Sequence, residues 1–306
     1  MDPITRALLQ SWGWRADVII VLLTAGTLYT LGWRTLRARQ VGVRPANRLA
    51  RGWRLASYLG GLGVLAIALM SPIDTLGGQL FSFHMVQHLL LVMLAPPLLL
   101  LANPFPFALW GLPLAPRRLV AGLFRPQSAF RQTLRAATTP GIVWLAFLVV
   151  YIGWHDPNAY NLALRREWVH DVEHLSFFLT AVLYWWHVIG AGPRIHRRFP
   201  LGLRIGYLLA TIPPNMMTGV AIAFARAPIY TYYTTVPRLF GLSVMQDQMI
   251  GGFIMWVPGS MMYIVAVLLL MAQVLQAESD KPPLPEGEWA DGDALLAPGI
   301  KHRRTP

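Results

Sequence analysis

Long apolar stretches, separated by short polar segments, recur along the whole chain. About 20 consecutive apolar residues suffice for a helix to cross the hydrocarbon core of a bilayer. We therefore predict an all-α fold, a polytopic membrane protein built as a bundle of seven transmembrane helices. The predicted spans cover approximately residues 16–33, 55–70, 83–102, 138–154, 167–190, 203–224 and 247–275. The fourth is short, and by length alone it could be a re-entrant segment.

Two of these spans contain a proline pair, Pro96-Pro97 in the third and Pro213-Pro214 in the sixth. Proline has no backbone N–H and clashes with the preceding turn, so each pair predicts a kink or a non-helical turn. The carbonyl groups freed at such a break need partners within lipid. We therefore expect the two breaks to pack against one another or to line a polar pocket.

The composition supports a membrane protein and removes several chemistries. Of the 306 residues, 55% are hydrophobic and only 13% are charged, whereas a soluble domain has about 25% charged residues. Cysteine is absent, which excludes disulfides, iron–sulfur clusters and thiolate metal sites. Histidine and methionine are then the remaining borderline and soft metal ligands.

Basic residues are distributed unevenly among the segments that join the spans. Segments 34–54, 103–139, 191–204 and 276–306 carry 7, 5, 4 and 4 lysines and arginines, and the opposite set carries 2, 0, 2 and 2. Cytoplasmic segments carry the excess of positive charge in membrane proteins. We therefore predict an N-terminus outside and a C-terminus in the cytoplasm. The net charge of +12 then indicates contact with the lipid bilayer rather than binding of a nucleic acid.

Two joining segments have distinctive compositions. Segment 103–139 mixes arginines with leucine, phenylalanine and tryptophan, which is typical of an amphipathic segment lying on anionic lipid. The tail, residues 276–306, is rich in proline, glycine and acidic residues. This composition predicts a disordered cytoplasmic tail.

Two pairs of histidines carry the candidate chemistry. His84 and His88 begin the third span, and His170 and His174 begin the fifth. Residues four apart share one face of a helix, and the predicted topology puts both pairs at the outer side. Four imidazoles could therefore converge on one ion, for which copper and zinc are both suitable.

Further polar residues at the same predicted depth could complete such a site. Glu173 could be a ligand, could orient an imidazole, or could be a solvated carboxylate in the first turns of a helix. His155, in the adjoining loop, and Asp247, at the start of the seventh span, are additional candidates. Met245 and Met249 share a helix face and could offer thioethers to Cu(I), although most methionines fill space in apolar cores.

Two alternatives to a metal-ion site remain open from the residues. A haem needs axial histidines on facing helices, and a single haem at the outer side would satisfy this requirement. The histidines could instead only make hydrogen bonds, in a metal-free scaffold. A retinal-type Schiff base is excluded within the spans, because the only lysines are Lys281 and Lys301, both in the tail.

Three motifs, in order along the chain, resemble those of the CtaG family of cytochrome c oxidase assembly factors. They comprise residues 83–90 with 95–97, residues 168–174 with 184–186, and residues 247–248, 251–252 and 255–259. The resemblance covers nearly all of residues 16–275. It implies a seven-span protein of the bacterial cytoplasmic (inner) membrane that helps to assemble a haem–copper oxidase of the respiratory chain.

The resemblance also favours copper over zinc and names the partners. It implies that the histidine motifs, His84, His88, His170 and His174, hold copper at the outer face and deliver it to cytochrome c oxidase subunits. Ligand exchange needs no covalent chemistry, so we expect no enzymatic activity. The sequence predicts no particular oligomeric state.

Overall fold

The computed structural model describes residues 10–40, 49–197 and 199–279. This part of the chain is mainly helical and contains no β-strand. The helices are α1 Ala16–Arg39, α2 Gly52–Met70, α3 Pro72–Gly77, α4 Phe81–Leu89, α5 Ala95–Leu101, α6 Pro104–Gly111, α7 Leu114–Leu123, α8 Ala129–Ala137, α9 Pro140–Trp154, α10 Pro157–Arg165, α11 Glu167–Ile189, α12 Leu201–Leu209, α13 Ile212–Ala223 and α14 Val244–Ser279. The all-α prediction is confirmed for these residues.

Five helical segments are long and apolar enough to cross a membrane. They are α1, α2, the segment Phe81–Leu101, the segment Leu201–Ala223 and α14. Helices α8 and α9 form a sixth if the pair, bent by 59°, is one span. Helix α11 has 23 residues, with three acidic residues among its first seven, and it is not one of these segments. The chain is thus a multi-span helical protein, and the seventh span and the orientation stay predictions.

Short helices occupy segments that the sequence analysis treated as loops. Helix α3 lies within segment 71–82, and helix α10 lies within segment 155–166. Ser71 caps α3, with its side chain accepting from Ile73 N–H, and Asp156 caps α10 in the same way through Asn158 and Ala159. In both cases a proline follows the cap at the first helical position, where its fixed φ favours a helix.

Segment 103–139 is also helical, because it forms α6, α7 and α8 in succession. Helices α7 and α8 bury none of their residues in the protein. The predicted tail starts later than expected, since α14 continues to Ser279. The rest of the tail prediction, residues 280–306, lies outside the described residues.

The proline breaks have separate helical neighbours. Before Pro96 the backbone forms a π-helical turn, Leu90–Leu94, and the Val92 carbonyl that loses its helical partner accepts from Trp185 Nε1–H at 2.9 Å. Helix α5, after this turn, packs against α2 and α11, whereas α13, which contains Pro213-Pro214, packs along α14. Extensive packing of the two breaks against one another is not found in the described part of the chain.

The other expectation, that the two breaks line a polar pocket, agrees with the structure in part. Val92 and Met93 from the first break and Asn215 from the second line one small cavity. Its wall is mostly apolar rather than polar, because methionine, leucine and phenylalanine side chains supply most of it.

The bundle has two ends of different chemistry. At one end Arg15 pairs with Asp171, and the Tyr233 hydroxyl donates to the Gly77 carbonyl. We call this the histidine end, which gathers residues 10–16, 70–84, 154–174 and 223–248. At the other end Arg131 donates to the Arg194 carbonyl at 2.9 Å, and Arg39 stacks on Trp110. We call this the arginine end, which gathers residues 34–40, 49–54, 102–139, 189–197 and 199–204.

Two glycines allow α13 and α14 to cross at very short distance. A Cβ atom on Gly219 would lie 2.8 Å from the Trp256 backbone nitrogen, and one on Gly252 would lie 2.6 Å from the Ala223 backbone nitrogen. Small residues at such crossings let helix backbones approach closely in membranes. The crossing places the first turns of α14 against α4 and so helps to build the histidine end.

We expect Gly252→Ala to destabilise the protein, because the added methyl group must push α13 and α14 apart. Overpacking of this kind costs about 1–3 kcal/mol in unfolding free energy. Thermal unfolding of the detergent-solubilised chain measures this loss. The matched control is Gly63→Ala in α2, where a Cβ meets nothing within 4 Å and alanine is the better helix former. Equal melting temperatures for the two variants would contradict the close crossing.

Candidate metal centre

Helix α4 positions His84 and His88, and Asp247 of α14 holds its first turn. The Asp247 carboxylate accepts from the backbone N–H groups of Phe81 and Ser82 at 2.8 and 3.0 Å, and from the Ser82 hydroxyl at 2.6 Å. A carboxylate at this place satisfies N–H groups that the helix itself cannot pair. Burial of Asp247 is thereby explained by capping, and the structure gives it this role instead of the predicted one of extra ligand.

Helix α11 positions His170, Glu173 and His174 on the side that faces α4. Asp171 lies on another side of α11 and pairs with Arg15, whose Nη2 lies 3.0 Å from Asp171 Oδ2. This ion pair ties the start of α11 to the residues that precede α1. The rotation of α11 that directs Glu173 inward is therefore fixed from outside the cluster.

Four side chains of the two helices meet in one cluster. His84, His170, Glu173 and His174 each offer a ligand atom, and these atoms all lie within 4.8 Å of one another. Glu173 is fully buried, and its oxygens lie 3.8 Å from His84 Nε2 and 3.7 Å from His88 Nε2. These separations are too long for hydrogen bonds, although they are short enough for side-chain rotation to bring the atoms around one ion.

The imidazole rings are close together but do not stack on one another. Ring centres lie 4.3 Å apart for His84 and His88, 4.0 Å apart for His170 and His174, and 5.1 Å apart for His84 and His170. His88 lies 5.3 Å from His174 by the same measure. The structure therefore brings all four predicted histidines together with Glu173.

A chain of tyrosines determines which nitrogen of His84 faces the cluster. His84 Nδ1 lies 2.7 Å from the Tyr160 hydroxyl, which lies 3.2 Å from the Tyr233 hydroxyl. Tyr233 donates to the Gly77 carbonyl at 2.9 Å, so its oxygen is free to accept from Tyr160. Tyr160 can then accept from His84 Nδ1–H, which leaves the Nε2 lone pair for a metal ion. Burial raises the pKa of Tyr160 above its usual range, which keeps this hydroxyl protonated.

A second polar group supports α4 from the histidine end. Gln87 donates to the Asp74 carboxylate at 2.7 Å and to the Ala68 carbonyl at 2.8 Å. Burial raises the pKa of the Asp74 carboxyl, and the hydrogen bond from Gln87 opposes that rise. The sequence patterns did not reveal the supporting roles of Asp74, Gln87, Tyr160 and Tyr233. A capping residue followed by proline, before each of the short helices that carry Asp74 and Tyr160, could have indicated that these segments are helical.

The remaining predicted residues occupy different positions. His155 lies beside the cluster, with its ring centre 6.5 Å from that of His88 and its Nδ1 bonded to the Tyr151 carbonyl at 2.6 Å. Met249 is 40% exposed, and Met245 is half-buried. The structure gives no support to these two methionines as ligands.

Other methionines do lie next to the cluster. A cavity of about 40 Å³ adjoins His88, and its wall includes Met85, Met93, Met255 and His155. One water molecule needs about 10–15 Å³ by this measure. The cavity can therefore hold an ion or a few water molecules beside His88.

The buried polar atoms of the cluster fit a metal ion. Those without a hydrogen-bond partner in the described part of the chain are His84 Nε2, His88 Nδ1 and Nε2, His174 Nε2, and both oxygens of Glu173. An unpaired buried polar group costs about 1–3 kcal/mol, and a charged one costs more. Imidazole and carboxylate are ligands that Zn²⁺ and Cu²⁺ accept. A cation bound here would satisfy these atoms and neutralise the Glu173 charge.

Membrane-length helices and a buried histidine–carboxylate cluster define the class of this protein: a polytopic membrane protein with a candidate metal centre at one end. More particularly, the chain belongs to the cytochrome c oxidase caa3 assembly factor family (Caa3_CtaG), whose family model matches residues 27–277. This confirms the resemblance found in the three sequence motifs.

Curated relatives come from mycobacteria. The chain is similar to an uncharacterized protein of Mycobacterium leprae, with 30% identity over 270 residues that cover 85% of this chain and 39% of that protein. It is 29% identical to uncharacterized proteins of Mycobacterium bovis and Mycobacterium tuberculosis over 274 residues, again 85% of this chain and 39% of theirs. The chain thus spans about two fifths of the length of these relatives. No solved structure matches it.

We expect Asp247→Ala to loosen the helix that carries His84 and His88. Loss of an N-cap costs about 0.5–2 kcal/mol in unfolding free energy. The buried N–H groups left unpaired add to this cost. Thermal unfolding should therefore occur at a clearly lower temperature than in the wild type. Met249→Ala, half a turn further along α14 at an exposed position, is the control and should change stability by less than about 0.5 kcal/mol. An unchanged melting temperature for Asp247→Ala would contradict the capping role.

Proposed function

We propose that this member of the oxidase assembly family holds a copper ion in the cluster of His84, His88, His170, His174 and Glu173 and passes it to a cytochrome c oxidase subunit. The observation that carries the proposal is a set of buried nitrogen and oxygen atoms on two facing helices, for which the described part of the chain offers no hydrogen-bond partner. Copper is therefore the cargo of the protein, bound for transfer.

Ligand chemistry and family membership together favour copper over zinc. Imidazole suits both metals, and for divalent ions the affinity of such a site peaks at Cu²⁺. Thioethers suit Cu(I), and Met85, Met93 and Met255 line the cavity beside His88. Zinc would accept the imidazoles equally well, but the family assembles an oxidase whose active form contains copper.

The residues have distinct tasks in this function. Glu173 supplies the negative charge that stabilises a buried cation, and Tyr160 holds His84 so that Nε2 faces that cation. His88 belongs to the cluster and also lines the methionine-lined cavity, so it can pass an ion from one ligand set to the other. Transfer to the oxidase is then a series of ligand exchanges, without covalent chemistry or enzymatic turnover.

We further infer seven spans, with the N-terminus outside and the C-terminus in the cytoplasm of a bacterial cell. Helix α11 packs against α9 and α5, which supports its inclusion in the bundle as a span. The arginine end, which gathers the three most basic described segments, would face the cytoplasm. The metal centre would then open toward the outer side, where copper-containing oxidase domains are assembled.

The geometry of the cluster does not favour a haem in place of a metal ion. The four imidazole rings lie 4.0–5.7 Å apart between neighbours, and the adjoining cavity measures about 40 Å³. A porphyrin needs far more room between its axial histidines than this. A metal-free scaffold remains the alternative that the binding experiment below distinguishes.

The orientation predicts which introduced cysteines react from outside an intact cell. The chain has no cysteine of its own, so single substitutions report cleanly. Arg165→Cys, exposed at the histidine end, should react with a membrane-impermeant maleimide, whereas Arg118→Cys, exposed at the arginine end, should react only after permeabilisation. Reaction at position 118 in sealed cells, without reaction at 165, would invert the topology.

The shared site predicts non-additive loss of copper. Because one ion needs ligands from both helices, His84→Ala and His170→Ala should each remove most of the bound copper, and the double variant should be little worse than either. Elemental analysis of protein purified without added metal measures this. His196→Ala, at the arginine end, is the control and should retain copper.

Two other results would count against the proposal. Additive losses would indicate separate sites on α4 and α11. If all four histidine substitutions leave both copper content and oxidase activity unchanged, the histidines are structural and the protein acts as a metal-free scaffold.

A further inference from the structure

A second cavity lies at the arginine end, opposite to the metal centre. It measures about 460 Å³, and its wall includes Arg194, Arg197, Arg204, His196, Trp186 and Phe199. These residues come from the end of α11, the start of α12 and the segment that joins them. This cavity is within the size range of sites for small organic ligands, about 300–1,000 Å³.

The buried part of this cavity is fixed by the backbone. Arg204 is 6% exposed, and it donates to the Phe199 carbonyl at 2.8 Å and to the Val188 carbonyl at 3.1 Å. Gly190 has φ +74°, and a Cβ there would lie 3.1 Å from Arg204 Nη2. A side chain at position 190 would crowd the guanidinium, so the glycine leaves room for Arg204 in the cavity wall.

The segments that form this end provide no carboxylate. No aspartate or glutamate occurs in residues 18–73, 75–155 or 174–246. The positive charge comes from arginine rather than histidine, because burial and the nearby Arg135 lower the pKa of His196. Its Nε2 also contacts the Thr138 hydroxyl at 2.9 Å. The cavity is therefore cationic at neutral pH, and an anion is the ligand that it would attract.

We propose that this cavity binds the phosphate group of an anionic phospholipid. Guanidinium groups match the geometry of phosphate oxygens and remain charged at all physiological pH values. The cavity lies where α11 ends and α12 begins, and Trp186 and Phe199 supply the aromatic wall typical of the membrane interface. Basic pockets between membrane helices at this depth bind anionic headgroups. The volume accommodates a headgroup rather than a single inorganic ion.

The proposal is independent of metal binding, because none of its residues lies in the histidine–carboxylate cluster. It does connect the two ends, since α11 carries Glu173 near its start and Trp186 near its end. A lipid bound here would fix the arginine-rich end of the helix that supplies three of the metal-centre side chains.

The test compares lipid retention by the full-length chain in native mass spectrometry. Detergent-purified protein is mixed with cardiolipin, phosphatidylglycerol or phosphatidylcholine, and the bound fraction is measured as a function of lipid concentration. We expect the anionic lipids to bind at least tenfold more tightly than phosphatidylcholine. The double variant Arg194→Ala, Arg197→Ala should lose most of this preference, because both side chains are exposed parts of the wall that folding does not require.

Matched controls separate this site from general attraction to a basic surface. The double variant Arg118→Ala, Arg125→Ala removes the same charge from exposed positions of the same end and should reduce the preference much less. Equal loss in both double variants would overturn the proposal, as would equal binding of anionic and neutral lipids by the wild type. Inorganic phosphate that competes at low millimolar concentration would assign the site to a free anion.

Discussion

The burial of Glu173 among four histidines is the constraint on which the histidine end depends. A carboxylate without a hydrogen bond, together with imidazole nitrogens that also lack partners, is costly in an apolar bundle. Several such atoms at about 1–3 kcal/mol each would use a large part of the 5–15 kcal/mol that stabilises an ordinary folded protein. A bound cation removes this cost, because it pairs with the carboxylate and accepts the nitrogen lone pairs.

The surrounding structure serves to keep these atoms in one place. Asp247 caps α4, and Arg15 holds α11 through Asp171, so the two helices that supply the ligands are fixed from opposite sides. The tyrosine chain ends on the Gly77 carbonyl and selects the tautomer of His84. Among these supporting contacts, only the one between Tyr160 and His84 involves a residue of the cluster, and it uses Nδ1 rather than Nε2. The remaining donor atoms of the cluster are therefore left for an ion, as the proposed holding of copper requires.

Sequence periodicity was sufficient to find the candidate ligands but not the residues that support them. His84 and His88, like His170 and His174, are four residues apart, and helical geometry alone puts each pair on one face. Tyr160 and Asp247 act on residues 76 and 166 positions away, so no local pattern could reveal their roles. Asp247 illustrates the error that follows, because a buried acid near histidines resembles a ligand until its hydrogen-bond donors are known. The helices α3 and α10 could have been predicted from Ser71-Pro72 and Asp156-Pro157, since a capping side chain before proline is a local signal.

The proline pairs show the same division between local and distant causes. The missing N–H groups of the prolines were enough to predict that each pair interrupts a helix. They could not predict which group would pair with the freed carbonyl. Val92 is paired by Trp185, which lies 93 residues further along the chain. The residues beside both breaks then line the cavity next to His88, so the breaks shape the second compartment of the candidate centre.

X-ray absorption at the copper edge of the purified, copper-loaded chain tests the central claim most directly. We expect nitrogen or oxygen neighbours at about 2.0 Å, with the outer-shell scattering that imidazole rings produce. This imidazole scattering should be lost in the His84→Ala, His170→Ala double variant. A spectrum with only sulfur or water neighbours, or one that is identical in the double variant, would contradict a metal centre built from the two histidine pairs.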